Sequence, residues 1–66
     1  MKFYERLKEL REEKDLTQKA LADKLKVNFR TISTWENGTR KPDIDMLIKI
    51  AKYFGVHTDY LLGLED

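Results

Sequence analysis

The sequence predicts an all-α fold, a compact bundle of five short helices, and three observations carry that prediction. Apolar residues recur at steps of three and four along most of the chain, and nowhere alternate beyond two or three residues as a strand would. Capping and stop residues punctuate the pattern at short intervals, at Thr17, Asn28, Gly38, Asp43, Gly55 and Gly63. The length of 66 residues, without repeats or low-complexity stretches, holds one small domain over 1–66, with its core from about 7 to 62.

Each element follows from its own residues. Phe3, Leu7 and Leu10 form one apolar stripe, so residues 2–14 form an amphipathic first helix that ends at Asp15-Leu16. Thr17 caps a second helix, with Gln18 in its first turn and Leu21, Ala22 and Leu25 on its apolar side. Asn28 caps a third, anchored by Ile32 and Trp35 and stopped at Asn37-Gly38, where glycine accepts the left-handed backbone. Asp43 caps a fourth, in which Ile44, Leu47, Ile48, Ile50, Ala51 and Phe54 share one arc expected to be core, with Met46 and Tyr53 outside it. Gly55 stops that helix, Thr58 opens a last turn through Leu62, and Gly63 closes it.

Composition removes several classes of function. The chain has no cysteine, so it has neither disulfides nor thiolate metal sites, and an intracellular setting is expected. The charged N-terminus, MKFYERLKEL, is no signal peptide, and no apolar run approaches the roughly 20 residues of a membrane span, which makes a cytoplasmic protein the expectation. Net charge is +1, but its distribution is uneven: residues 16–41 carry six basic and two acidic side chains, and residues 42–66 two basic and five acidic. A basic middle is the electrostatic footprint of a nucleic-acid contact, although such charges also merely solvate a surface. His57 is the one histidine, has no second ligand at metal spacing, and is expected in an exposed loop. With no paired nucleophile and base and no glycine-rich phosphate loop, an enzyme is not expected.

The functional signal lies in residues 17–37. Only Lys26-Val27 separates the second and third helices, so they should cross steeply as a helix-turn-helix with Ala22 at the crossing. Taking Ile32 as the origin of a helical wheel, Trp35 falls near 300°, whereas Arg30, Ser33, Thr34 and Asn37 fall between about 100° and 200°. The outward face is therefore slim and hydrogen-bonding and suits the roughly 12 Å major groove of B-DNA, and Asn28 and Thr31 of the same helix are further candidates for DNA contact. Phe29, on the flank, either packs under the second helix or meets DNA. Gln18, at the N-terminus of the second helix, and Asn37, Thr39, Arg40 and Lys41, after the third, are placed to hold phosphates.

Here the chain resembles the Cro/C1-type, or Xre-like, helix-turn-helix repressors of bacteria and their phages. The resemblance runs through LKELREEKDLTQKALADKL, TISTWENGTRKP, LIKIAKYFGV and DYLLG, nearly the whole chain. It implies the five-helix fold of lambda-repressor-like DNA-binding domains, an operator of double-stranded DNA with near-palindromic symmetry, dimeric binding, and an Arg11–Glu36 pair. Three departures stand out. Lys26 replaces a frequent glycine, Ala20 replaces a frequent glutamate, and Phe29 stands where relatives are commonly polar, so a relative's operator cannot be carried over.

Tyr60, Leu62 and Leu64, with Met46 and Tyr53, either form a self-complementary two-fold interface or close the bundle beneath the first helix. The expectation for the whole is a sequence-specific DNA-binding regulator, a repressor, needing no cofactor. Its alternative is a protein-binding adaptor, an antitoxin or anti-repressor, on the same scaffold.

Overall fold

In the computed structural model, which describes residues 1–65, five helices follow one another: α1 (Phe3–Glu13), α2 (Gln18–Leu25), α3 (Phe29–Glu36), α4 (Ile44–Phe54) and α5 (Thr58–Leu61). Their starts are chemically marked. Thr17 Oγ1 accepts from Ala20 N at 3.0 Å, Asn28 Oδ1 from Arg30 N at 2.8 Å, and Asp43 Oδ1 from Met46 N at 2.8 Å. Each satisfies an amide that the first helical turn leaves unpaired. At the C-terminus of α2 the lysine of the opposite helix intervenes, Lys49 Nζ donating to Leu25 O at 2.8 Å.

One core joins the helices. Leu7, Leu21, Leu25, Ile32, Ile50 and Leu61 are fully buried, and Leu10, Ala22, Trp35 and Ala51 nearly so. α3 packs on α2 and on α1, while α5 bridges α4 and α1. Gly63 is confined by the chain start: a Cβ there would lie 1.6 Å from Met1 O, with φ at 78°.

The fourth helix departs from its expected orientation. Ile44 is 75% exposed and Ile48 41%, whereas Met46 and Tyr53 are half-buried against the core. On the wheel, the inward arc runs from Tyr53 and Met46 through Ile50, Phe54 and Leu47 to Ala51, about 60° from the one built around the isoleucines. Apolar burial is not directional, and the neighbouring helices decide which side is covered. Tyr53 meets Phe54 edge-on at 5.1 Å between ring centroids, and the Lys14 ammonium lies 5.7 Å from the Tyr53 ring centroid.

Tyr60 likewise belongs to the bundle. It packs half-buried on the core beneath the Arg6 guanidinium, 3.8 Å from its ring centroid. That cation–π stack accounts for the burial of Arg6, a position the apolar stripe of the first helix did not announce. Leu62 and Leu64 remain exposed. No helix among the described residues is long and apolar enough to cross a membrane.

Candidate nucleic-acid interface

The connection between α2 and α3 is short because Lys26 turns it in one residue. Its φ of 59° and ψ of 44° are left-handed, and its amide returns to Asp23 O while Val27 N reaches Ala22 O at 2.9 Å. A side chain in that conformation costs about 1 kcal/mol, which explains why glycine suits this turn. Ala22 is 1% exposed within the core that α2 and α3 share, where a side chain larger than its methyl would have to displace a neighbour.

Polar bonds then fix the roll of α3. Arg11 of α1 donates from Nε to Glu36 Oε2 at 2.7 Å and from Nη2 to Oε1 at 3.0 Å, a two-point grip. A third donor, Arg11 Nη1, reaches Leu16 O at 2.7 Å, and Gln18 Nε2 donates to Glu36 Oε1 at 3.2 Å. The Glu36 side chain is only 4% exposed, so its charge is neutralised inside the protein rather than turned toward solvent. The Arg11 guanidinium is held above its ordinary range, chiefly by the hydrogen bond to Glu36, with desolvation opposing. A cation raised in this way contributes its full stability below the ordinary arginine range and loses it only as pH climbs through the raised value. It therefore persists throughout the neutral range.

With Ile32 and Trp35 inside and Glu36 gripped from behind, the opposite side of α3 faces out. Asn28, Phe29, Arg30 and Asn37 are exposed; Thr31, Ser33 and Thr34 are half-buried. Thr34 Oγ1 donates to Thr31 O at 2.8 Å and still has lone pairs to accept with. Asn37 Oδ1 accepts from Thr39 N at 2.9 Å, and Asn28 Oδ1 is occupied by its cap, which leaves each amide nitrogen as a donor.

The named residues divide between two grooves along α3. One, of about 520 Å³, brings Arg30, Thr31 and Thr34 of the helix together with Arg40 and Lys41 of the following loop. The other, of about 260 Å³, gathers Gln18, Ser33 and Asn37 with Lys8 and Arg11 of α1. Thr39 is exposed between helix and loop, its amide donating to Thr34 O at 3.0 Å. Asn28 and Phe29 line neither groove. Lys8 was absent from the sequence-based candidates; its place one turn before Arg11, on the same side of the first helix, was the available signal.

This geometry has relatives. A helix-turn-helix family model matches residues 7–61. The chain belongs to the Xre-like helix-turn-helix family. The HTH-type transcriptional regulator ImmR of Bacillus subtilis is 41% identical over all 66 residues, which cover 52% of ImmR. The HTH-type transcriptional activator BcrR of Enterococcus faecalis is 44% identical over the same 66 residues, 32% of its own length. This helix-turn-helix chain thus spans about a third to a half of those curated relatives. Among solved structures it is similar to a transcriptional regulator from Listeria innocua, with a TM-score of 0.90, 37% identity, and 98% of this chain against 61% of that one. It is equally similar to the P22 c2 repressor, solved in complex with a synthetic operator, with a TM-score of 0.90, 28% identity and 98% of both chains covered. The curated relatives are named as transcriptional regulators, and what the chain shares with them is the helix-turn-helix domain.

Proposed function

We propose that this helix-turn-helix chain is a sequence-specific repressor that inserts α3 into the major groove of an operator. The observation that carries the reading is the locked roll of α3: its apolar side is buried, its one carboxylate is gripped by Arg11, and its hydroxyl and guanidinium groups project outward. In this reading Arg30 meets guanine N7 and O6, while Thr31, Ser33 and Thr34 meet neighbouring base edges. Phosphates are held on both flanks. Gln18, with the free amides at the start of α2 and its second Nε2 hydrogen, holds one strand, joined by Lys8; Asn28, Asn37, Thr39, Arg40 and Lys41 complete the backbone contacts. The likeness to P22 c2, a repressor whose structure was solved with an operator, supports this mode of binding.

The reading extends to a homodimer in the cytoplasm, with residues 7–62 acting as one DNA-binding domain. Leu62 and Leu64, exposed near the end of the described chain, are joined by Ile44 and Ile48, which lie one turn apart on α4. A second copy covering these side chains would set two copies of α3 about 34 Å apart, one duplex turn. Tyr60, held under Arg6, takes no direct part.

Titration with random duplex at several salt concentrations tests the electrostatic part. Log affinity should fall linearly with log salt, by about 0.9 for each phosphate neutralised. Absence of duplex binding at low salt rules the reading out. Selection from a random duplex library should then return a two-fold symmetric motif. The same exposed apolar residues also favour the adaptor reading, which failure to enrich any sequence, together with full function after the outward side of α3 is changed to alanine, would establish instead.

A further inference from the structure

The seven aromatic side chains of this protein do not share one fate. Phe3, Trp35, Tyr53, Phe54 and Tyr60 pack on or within the core, and Tyr4 lies half-buried with its ring over Gly38. Phe29 alone is exposed, at 49%, and it is not among the side chains packed against the core. It opens α3, and its backbone is pinned on both sides: Asn28 Oδ1 accepts from Arg30 N at 2.8 Å, and Thr31 N donates to Asn28 O at 2.9 Å.

Its surroundings exclude the usual reason for an exposed aromatic. Ile44 and Ile48 lie one turn apart on α4, and Leu62 and Leu64 two residues apart, whereas Phe29 has Asn28 and Arg30 beside it in the chain and Ser33 one turn along. A single apolar side chain among polar ones does not make a protein-docking patch. Nor can a phenyl ring pair with a phosphate oxygen or hydrogen-bond to a base. The major groove offers it one apolar group, the C5-methyl of thymine.

Resting on the DNA-binding reading above, we infer that Phe29 is a specificity-determining residue that reads a thymine methyl group beside the base pair met by Arg30. With only two side-chain torsions, on a capped helix start, the ring is a selective probe of that methyl. A reader of this kind carries no charge, so it acts on sequence preference and leaves the salt dependence unchanged.

The test starts from the best duplex selected from a random library and replaces its thymines one at a time with deoxyuridine, which removes the methyl and keeps every hydrogen-bonding group. The native protein should lose about three- to tenfold in affinity at one thymine of each half-site. Phe29→Ala should bind the thymine and deoxyuridine duplexes equally at that position, keep its preference at the Arg30 position, and keep its melting temperature. Phe29→Leu should retain part of the discrimination. The inference is overturned if no thymine lies at the reading positions, or if native protein and Phe29→Ala respond alike to every replacement. Salt-dependent, Arg30-dependent binding that ignores deoxyuridine sinks this inference alone; absence of duplex binding sinks the DNA-binding reading with it.

Discussion

Residues 17–37 and residues 43–64 are both short helical segments on one core, yet a two-point ion pair orients the first, whereas apolar area, with one lysine-to-carbonyl bond and one cation–π stack, orients the second. In the first, two side-chain caps, a left-handed turn and the Arg11–Glu36 grip leave α3 one way to lie. In the second, α4 buries Met46 and Tyr53 while leaving Ile44 and Ile48 in solvent, although the isoleucines are the more apolar pair. An apolar stripe says that a helix packs; it fixes the roll only to within the width of the stripe. Where roll matters for recognition, this protein uses an ion pair.

The contrast is sharpest in paired substitutions of the same residue type. Ile32→Ala removes a fully buried side chain from α3 and should cost about 2–5 kcal/mol, enough to unfold much of so small a domain. Ile48→Ala, on the exposed side of α4, should stay within about 0.5 kcal/mol of the native protein. Urea denaturation of the two variants checks this, and equal losses would show that α4 is rolled as its isoleucines suggest.

Glu36→Ala should follow, at about 3 kcal/mol, because it leaves the Arg11 cation without its partner in a site only 12% exposed. Arg11→Ala in the same background should recover part of that loss. Additive losses in this double-mutant cycle, read by chemical denaturation, would mean that the pair does not hold α3.

Ile48→Lys should leave monomer stability nearly unchanged and abolish the proposed dimer, as sedimentation equilibrium with and without operator would show. Persistence of the dimer would place its interface elsewhere. A modest effect of the opposite sign is expected at the turn. Lys26→Gly relieves a left-handed backbone and should stabilise the protein by about 1 kcal/mol, visible as a higher melting temperature.

The difference between the two regions also marks what was legible in the sequence. Thr17, Asn28, Asp43, Gly38 and Gly55 are local signals, and the helix boundaries they announce agree with the structure to within a residue or two. The opposition of Trp35 and Ile32 to the outward residues of α3 was legible as well, because eight residues of regular helix are enough for the wheel to place them. The burial of Arg6 under α5 was not, since it depends on Tyr60, 54 positions later in the chain. The orientation of α4 and the place of Lys8 beside Gln18 failed for the same reason: each depends on how separate helices meet. Resemblance to a family, not the pattern of the residues, supplied the Arg11–Glu36 pair.

The claim that α3 reads bases with its outward face is tested most directly by measuring binding of the native protein, Arg30→Ala and Lys41→Ala to every single-base-pair variant of the selected operator at fixed salt. Arg30→Ala should flatten the preference at one position per half-site, a loss of about 1–3 kcal/mol there, while Lys41→Ala weakens all variants alike and lowers the salt slope by about 1. If Arg30→Ala instead weakens every variant equally, the guanidinium is holding phosphate, and the role assigned to the reading helix is wrong.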